Sequence, residues 1–183
     1  MLIQIERIKA PGLILDLEES PETFPVLREM EEAGECCFPS PVKVHLRAFR
    51  LQEMVEVEGQ VETIARFPCS RCLNEFDLKV EEGFAVAFTR QLPEVQDEEE
   101  EGAELTAEDM GLILFQGDEI DLTDAIQEQV VMALPVRPLC RPECKGLCSQ
   151  CGADLNLGDC GCDRGDFNIK FSVLKDFKVK KKK

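Results

Sequence analysis

Between residues 42 and 88 apolar and polar side chains alternate with a period of two, the mark of strands that bury one face. Val42, Val44, Leu46 and Ala48 fall on one side, and Lys43, His45 and Arg47 on the other. A second run sets Val55, Val57, Val61 and Ala65 against Glu56, Glu58 and Glu62. The two polar faces are opposite in charge, as cross-strand neighbours in an antiparallel sheet prefer. A third run passes through Phe76, Leu78, Val80, Phe84, Val86 and Phe88, and Glu82-Gly83 inside it predicts a bulge. Upstream, Ser20-Pro21-Glu22 predicts the opening of a short helix, with a capping residue and a proline in the first turn, and Gly34 closes it.

The period changes further along. An apolar strand is expected near Leu112 to Phe115, followed by a turn at Gly117-Asp118. Asp121 is placed to cap a helix over Leu122 to Leu134, with Leu122, Ile126, Val130 and Leu134 on one face. Pro135 and Pro138 end it. A last short helix is expected around Phe171, Leu174 and Phe177, before Lys180 to Lys183. These elements predict an α+β protein, an antiparallel sheet or partial β-barrel with a few helices. The organisation expected is an α+β domain over 1–136, with an acidic flexible loop near 93–109. Residues 137–183 then form a C-terminal cysteine-rich zinc-binding segment with a basic tail.

Charge changes this picture in the middle. The 183 residues carry a formal −16, and residues 91–136 alone contain 14 acids and no base. Asp97-Glu98-Glu99-Glu100-Glu101 repels itself too strongly to fold alone, and reads as a solvated loop or as a patch for a basic protein. Residues 137–183, by contrast, hold 11 bases against 6 acids. No apolar run approaches the ~18 residues needed to cross a bilayer. Glu6 and Asp16 interrupt the first residues, so no secretion signal is read there and a cytoplasmic protein is expected.

Ten cysteines in such a chain point to metal or redox chemistry rather than disulfides. Cys69-Ser-Arg-Cys72 is one Cys-x2-Cys pair, expected at the turn between the second and third strands. Cys148-Ser-Gln-Cys151 is another, with Cys140 and Cys144 before it and Cys160-Gly161-Cys162 after it. Thiolates at such spacings converge on one ion, and four of them close a tetrahedral zinc site. The short loop between them makes Cys148, Cys151, Cys160 and Cys162 one site. Cys69, Cys72, Cys140 and Cys144 make a second, joining the sheet to the segment after the main helix. Two zinc ions are expected, with Cys36 and Cys37 left as ordinary thiols.

Other chemistries fit less well. Cys144, Cys148 and Cys151 match the Cys-x3-Cys-x2-Cys of radical S-adenosylmethionine enzymes, but the chain lacks the strand–helix alternation of their barrel. Pro68-Cys69-Ser-Arg-Cys72 matches half of a zinc deaminase motif whose His-x-Glu half is missing. His45, the single histidine, lies on an outward strand face, and no phosphate-binding glycine motif is present. A protein without catalytic residues, small-molecule substrate or membrane contact is expected. Basic residues that would meet nucleic acid are Arg137, Arg141, Lys145, Lys180, Lys181, Lys182 and Lys183.

Cys69-Ser-Arg-Cys72-Leu73, Gly117-Asp118-Glu119-Ile120-Asp121-Leu122, Ala133-Leu134-Pro135, Cys144-Lys-Gly-Leu-Cys148 and Cys151-Gly-Ala-Asp-Leu-Asn156, in that order, resemble the YceD family. That family is linked to accumulation of large-subunit ribosomal RNA. The resemblance implies a non-enzymatic ribosome-biogenesis factor that promotes accumulation or processing of that RNA. Its partners would be the pre-ribosomal large subunit, ribosomal RNA or a basic ribosomal protein. The alternative is a zinc-stabilised interaction adaptor that holds a basic partner protein outside this pathway.

Overall fold

The alternating runs become three long antiparallel strands in the computed structural model, which describes residues 1–91 and 111–162. In chain order the elements are β1 (Leu2–Gln4), β2 (Leu13–Glu19), α1 (Pro25–Glu32), β3 (Val42–Leu51), β4 (Met54–Pro68), β5 (Glu75–Thr89), β6 (Leu112–Leu114), β7 (Glu119–Asp121) and α2 (Thr123–Ala133). One sheet runs β2-β3-β4-β5-β6, antiparallel except where β6 joins β5 in parallel. A two-stranded sheet pairs β1 with β7. Among the described residues the fold is therefore mostly sheet with two helices, and the larger sheet stays open at β2 and β6.

Register follows polarity. Arg47 stands opposite Glu58 and Lys43 opposite Glu62 on the wet face of β3 and β4. On the other face Val42, Val44, Leu46, Ala48, Val55, Val57, Val61 and Ala65 are buried, in one core with Leu27 of α1 and Ile126 and Val130 of α2. Gln127 ties the helices together, its buried amide oxygen accepting the Val26 N–H at 3.1 Å. Gly59 marks a close approach of β4 to β3. A Cβ there would stand 2.3 Å from the His45 carbonyl oxygen, so only glycine fits.

Three local expectations are corrected. Glu82-Gly83 makes no bulge: Val61 pairs with Glu82 and Gln60 with Gly83 in unbroken register. Glu82 keeps the parity of buried Val80 and Phe84 but is itself exposed, so polarity is interrupted and backbone pairing is not. Ser20 makes no side-chain cap, because Pro21–Thr23 form a separate 3-10 turn and the α-helix begins at Pro25. Between them Phe24 is extended and fully buried, and burying such a ring contributes about 1.5–3 kcal/mol, more than one continued helical residue. The main helix starts at Thr123 rather than Leu122, since Glu119–Asp121 are drawn into β7. Asp121 still serves the helix start, its Oδ1 accepting the Thr123 N–H at 2.9 Å.

Gly34 follows α1 at φ +71°, its N–H bonded to the Glu31 carbonyl, as a helix end requires. The acidic loop near 93–109, the short helix around Phe171 and the lysines at 180–183 lie outside the described residues. No described helix is long and apolar enough to cross a membrane.

Candidate metal centre

The turn between β4 and β5 presents the first cysteine pair. The Cys69 N–H donates to the Asn74 carbonyl and the Leu73 N–H to the Cys69 carbonyl, both at 2.9 Å. Leu73 closes this knuckle at φ +62°, a conformation a non-glycine residue seldom adopts. The chain leaving α2 is then laid against it. Ser70 N–H donates to the Pro138 carbonyl at 2.9 Å, and Leu147 N–H to the Arg71 carbonyl at 3.0 Å. The Arg71 guanidinium returns a hydrogen bond to the Cys144 carbonyl at 2.8 Å. Gly146 lets the two knuckles touch, for a Cβ there would stand 2.9 Å from the Arg71 carbonyl oxygen.

This docking gathers four sulfurs. Those of Cys69, Cys72, Cys140 and Cys144 all lie within 4.8 Å of one another. Cys69 and Cys144 are 3.8 Å apart, and Cys72 and Cys140 3.7 Å. A disulfide would need about 2.05 Å. Four sulfurs each ~2.3 Å from one tetrahedral ion stand about 3.8 Å from each other, so the observed spacing fits an ion. Cys148, Cys151, Cys160 and Cys162 form a second group within 4.8 Å, the Cys148 N–H held by the Ala153 carbonyl at 2.8 Å. Both tetrads can hold a metal ion, and both are the groupings read from the spacing.

Their electrostatics favour a cation. Burial pushes the Cys69 thiol up, but backbone groups of Cys140, Arg71 and Cys72 outweigh it and bring it down to about 6. Backbone groups of Cys151 and Gln150 bring Cys148 down to about 6 as well. Burial and the neighbouring thiols push Cys140 up to about 12, and the Cys151 and Cys160 thiols push Cys162 up to about 12. Each group therefore sets a cysteine whose thiolate is favoured beside one whose thiol is favoured, and a cation brought between them would draw off the second proton.

Cys36 is buried and Cys37 exposed, and neither joins a tetrad. Burial, then Cys37, Glu31 and Glu35, raise the Cys36 thiol to about 11. His45 is exposed and its ring nitrogen bonds Asp16 on the wet face of the sheet, away from both tetrads. Arg137, Arg141 and Lys145 are exposed on the cysteine segment, while Lys180, Lys181, Lys182 and Lys183 lie outside the described residues. Sequence reasoning missed Arg71, Asn74, Asp154 and Asn156, which brace the knuckles. The available signal was Asp154-Leu155-Asn156, one residue after Cys151-Gly152, since such side chains bond nearby backbone.

A family model described as "Large ribosomal RNA subunit accumulation protein YceD" matches residues 57–178. The chain is 24% identical, over 93% of its length, to large ribosomal RNA subunit accumulation protein YCED homolog 1, chloroplastic, of Arabidopsis thaliana, covering 59% of that protein. To the Zea mays protein of the same name it is 26% identical over 67% of its length, covering 49% of the relative. An uncharacterized protein of Mycobacterium tuberculosis is 32% identical over 60% of this chain, covering 49% of the relative. The chain thus spans between about half and three-fifths of these relatives. No solved structure matches it.

Proposed function

Because the chain belongs to the YceD family, whose match spans residues 57–178 and with them both cysteine tetrads, we propose that it is a zinc-stabilised, non-enzymatic factor in large-subunit ribosomal RNA accumulation. The observation that carries this reading is the closure of both sites. Each tetrad offers four thiols to one ion, whereas catalytic zinc keeps a position open for water or substrate. Zinc would hold the segment after α2 against the β4–β5 turn, and its chemistry would be structural: four thiolates drawn onto one ion in place of an apolar core. The working partner is the large subunit during assembly. We place the chain in the cytoplasm; its plant relatives are named chloroplastic, so ribosome assembly is the common element.

Charge distribution supports a second reading of how it acts. Within residues 137–162, Arg137, Arg141 and Lys145 are matched by Glu143, Asp154 and Asp159. Each filled tetrad adds about −2, so this surface attracts RNA poorly without the lysines at 180–183. The 14 acids of residues 91–136 instead suit a basic ribosomal protein, held before it is incorporated.

Sedimentation of cell extracts through a sucrose gradient tests the proposal. The protein should travel with immature large-subunit particles and be absent from mature subunits. If it stays at the top of the gradient while precursor RNA is unchanged in its absence, the ribosomal role is wrong and an adaptor elsewhere is favoured. Filter binding with large-subunit RNA fragments at low salt separates the two modes: retention favours direct RNA contact, and its absence favours the basic protein.

A further inference from the structure

The loop closed by the second tetrad does not serve that tetrad alone. Between Cys151 and Cys160, Leu155 is buried and its N–H donates to the Gly146 carbonyl at 2.9 Å. Asp154 forms an antiparallel bridge with Leu147. Asn156 reaches into the first tetrad: its Nδ2 lies 3.4 Å from Cys144 Sγ, and its Oδ1 accepts the Lys145 N–H at 2.9 Å. Asp154 Oδ1 accepts from Asn156 Nδ2 at 2.7 Å and from the Asn156 N–H at 2.9 Å. These partners fix the amide's orientation, because its nitrogen faces two acceptors and its oxygen faces a donor. The other Asp154 oxygen accepts from Asn74 Nδ2 at 2.9 Å, two residues beyond Cys72. One short loop therefore supplies a donor to a sulfur of the first tetrad and a clamp to the turn that carries two more.

We infer that the two tetrads are coupled, metal at Cys148, Cys151, Cys160 and Cys162 raising the affinity of Cys69, Cys72, Cys140 and Cys144, with Asn156 as the positioning residue between them. This rests on the metal-binding reading above. The physical link is the loop over 152–159, whose ends are fixed only when its flanking cysteines share an ion. With those ends free, only Leu155 and a few hydrogen bonds hold Asn156 near Cys144, and the N–H donor that steadies that thiolate is withdrawn. Groups that bond a ligand atom in this way typically change metal affinity by about 10–100-fold. Linkage makes the effect reciprocal, so the first ion must also tighten the second site.

The test uses the full chain with cysteines labelled at the β-carbon, whose NMR signals report each tetrad separately while Zn2+ is titrated against a chelator. Asn156→Asp, which keeps all ten cysteines but places an acceptor against Cys144, should weaken the first tetrad by about tenfold or more. The pair Cys148→Ser with Cys151→Ser should weaken the first tetrad similarly, although none of its own ligands is touched. In that background Asn156→Asp should have a smaller effect than in the intact chain. Asn74→Ala, acting from the sheet side with Asn156 intact, should lower first-tetrad affinity in the same direction. First-tetrad affinity within twofold of wild type in these variants overturns the coupling. Two ions bound independently by the wild type overturn the coupling alone, whereas no zinc bound at all removes the metal reading with it.

Discussion

The sheet and the cysteine segment are held together by different means. Behind the sheet the described residues form one cluster of 24 buried members, almost all aliphatic or aromatic, drawn from both helices and the long strands. Where the cysteine segment docks, the buried cluster has three members, Cys69, Cys72 and Cys144, all of them candidate ligands. Apolar area withdrawn from water is enough to order the first region. The second has too little of it, and on the proposed reading coordination supplies the rest. A stretch this poor in hydrophobic residues can still be specific in structure when its sulfurs do the work of a core.

Removing metal should therefore separate the regions, and this is the largest effect expected. A strong chelator at neutral pH should abolish hydrogen-exchange protection of the Leu147, Cys148 and Leu155 amides while leaving β3, β4 and β5 protected. Cys69→Ser with Cys72→Ser should release the segment from the β4–β5 turn with the same sparing of the sheet. If sheet and segment instead lose protection together in a single transition, the division of labour is wrong and the two regions form one cooperative unit.

Acid should act on the same boundary, with a smaller effect. Cys69 and Cys148, at about 6, are already ionised at neutral pH, whereas Cys140 and Cys162, at about 12, are protonated. An ion entering either tetrad must displace those protons, so zinc affinity rises with pH and falls as pH drops. The decline steepens below about 6, where Cys69 and Cys148 also compete for protons. Calorimetry in buffers of different ionisation enthalpy should show proton release on zinc binding. Affinity independent of pH between 6 and 8 would mean that something other than these thiolates holds the ion.

How much of this was readable in the sequence divides along the same line. β3, β4 and β5 were legible because each buries one face and exposes the other over ten or more residues. β2 was not: Ile14, exposed on the outer face, hides the alternation of Leu13, Leu15 and Leu17. β1 and β7 carry no local signal at three residues each, and exist because Ile3 and Ile120 pair across the fold. The tetrads were legible because Cys-x2-Cys and Cys-x3-Cys pairs are local. Their braces were not, since Asn74 meets Asp154 across 80 residues and Arg71 meets the Cys144 carbonyl across 73.

Substitutions inside the sheet should reverse the pattern, costing stability and leaving metal in place. Leu46→Ala opens a cavity under β3 and should lower global stability by about 2–5 kcal/mol, read from chemical denaturation. Gly59→Ala adds a methyl group against the His45 carbonyl and should cost about 1–3 kcal/mol, with β3 and β4 pushed apart. Both variants should still hold zinc at the wild-type ratio. Metal loss from either would show that the sheet core, and not the docking of the knuckles alone, sets the geometry of the first tetrad.

The smallest effect belongs to charge on the sheet's own surface. Arg66 grips Asp77 with two hydrogen bonds, of 2.6 and 3.0 Å, but both side chains are close to half exposed. The hydrogen bond from Arg66 holds the Asp77 carboxyl below the usual range. A carboxylate depressed in this way contributes stability above its ordinary value and loses it as pH falls through the lowered one. Solvent screens a pair this exposed, so its contribution is slight even at neutral pH. Asp77→Asn should accordingly shift the denaturation midpoint barely beyond error at pH 7, and the difference from wild type should vanish as pH is taken below the carboxylate range. The same acid titration should empty zinc-loaded tetrads. Acid sensitivity of the whole protein should therefore track zinc release and be unchanged in Asp77→Asn; a variant that shifted the acid transition would place that sensitivity in the sheet instead.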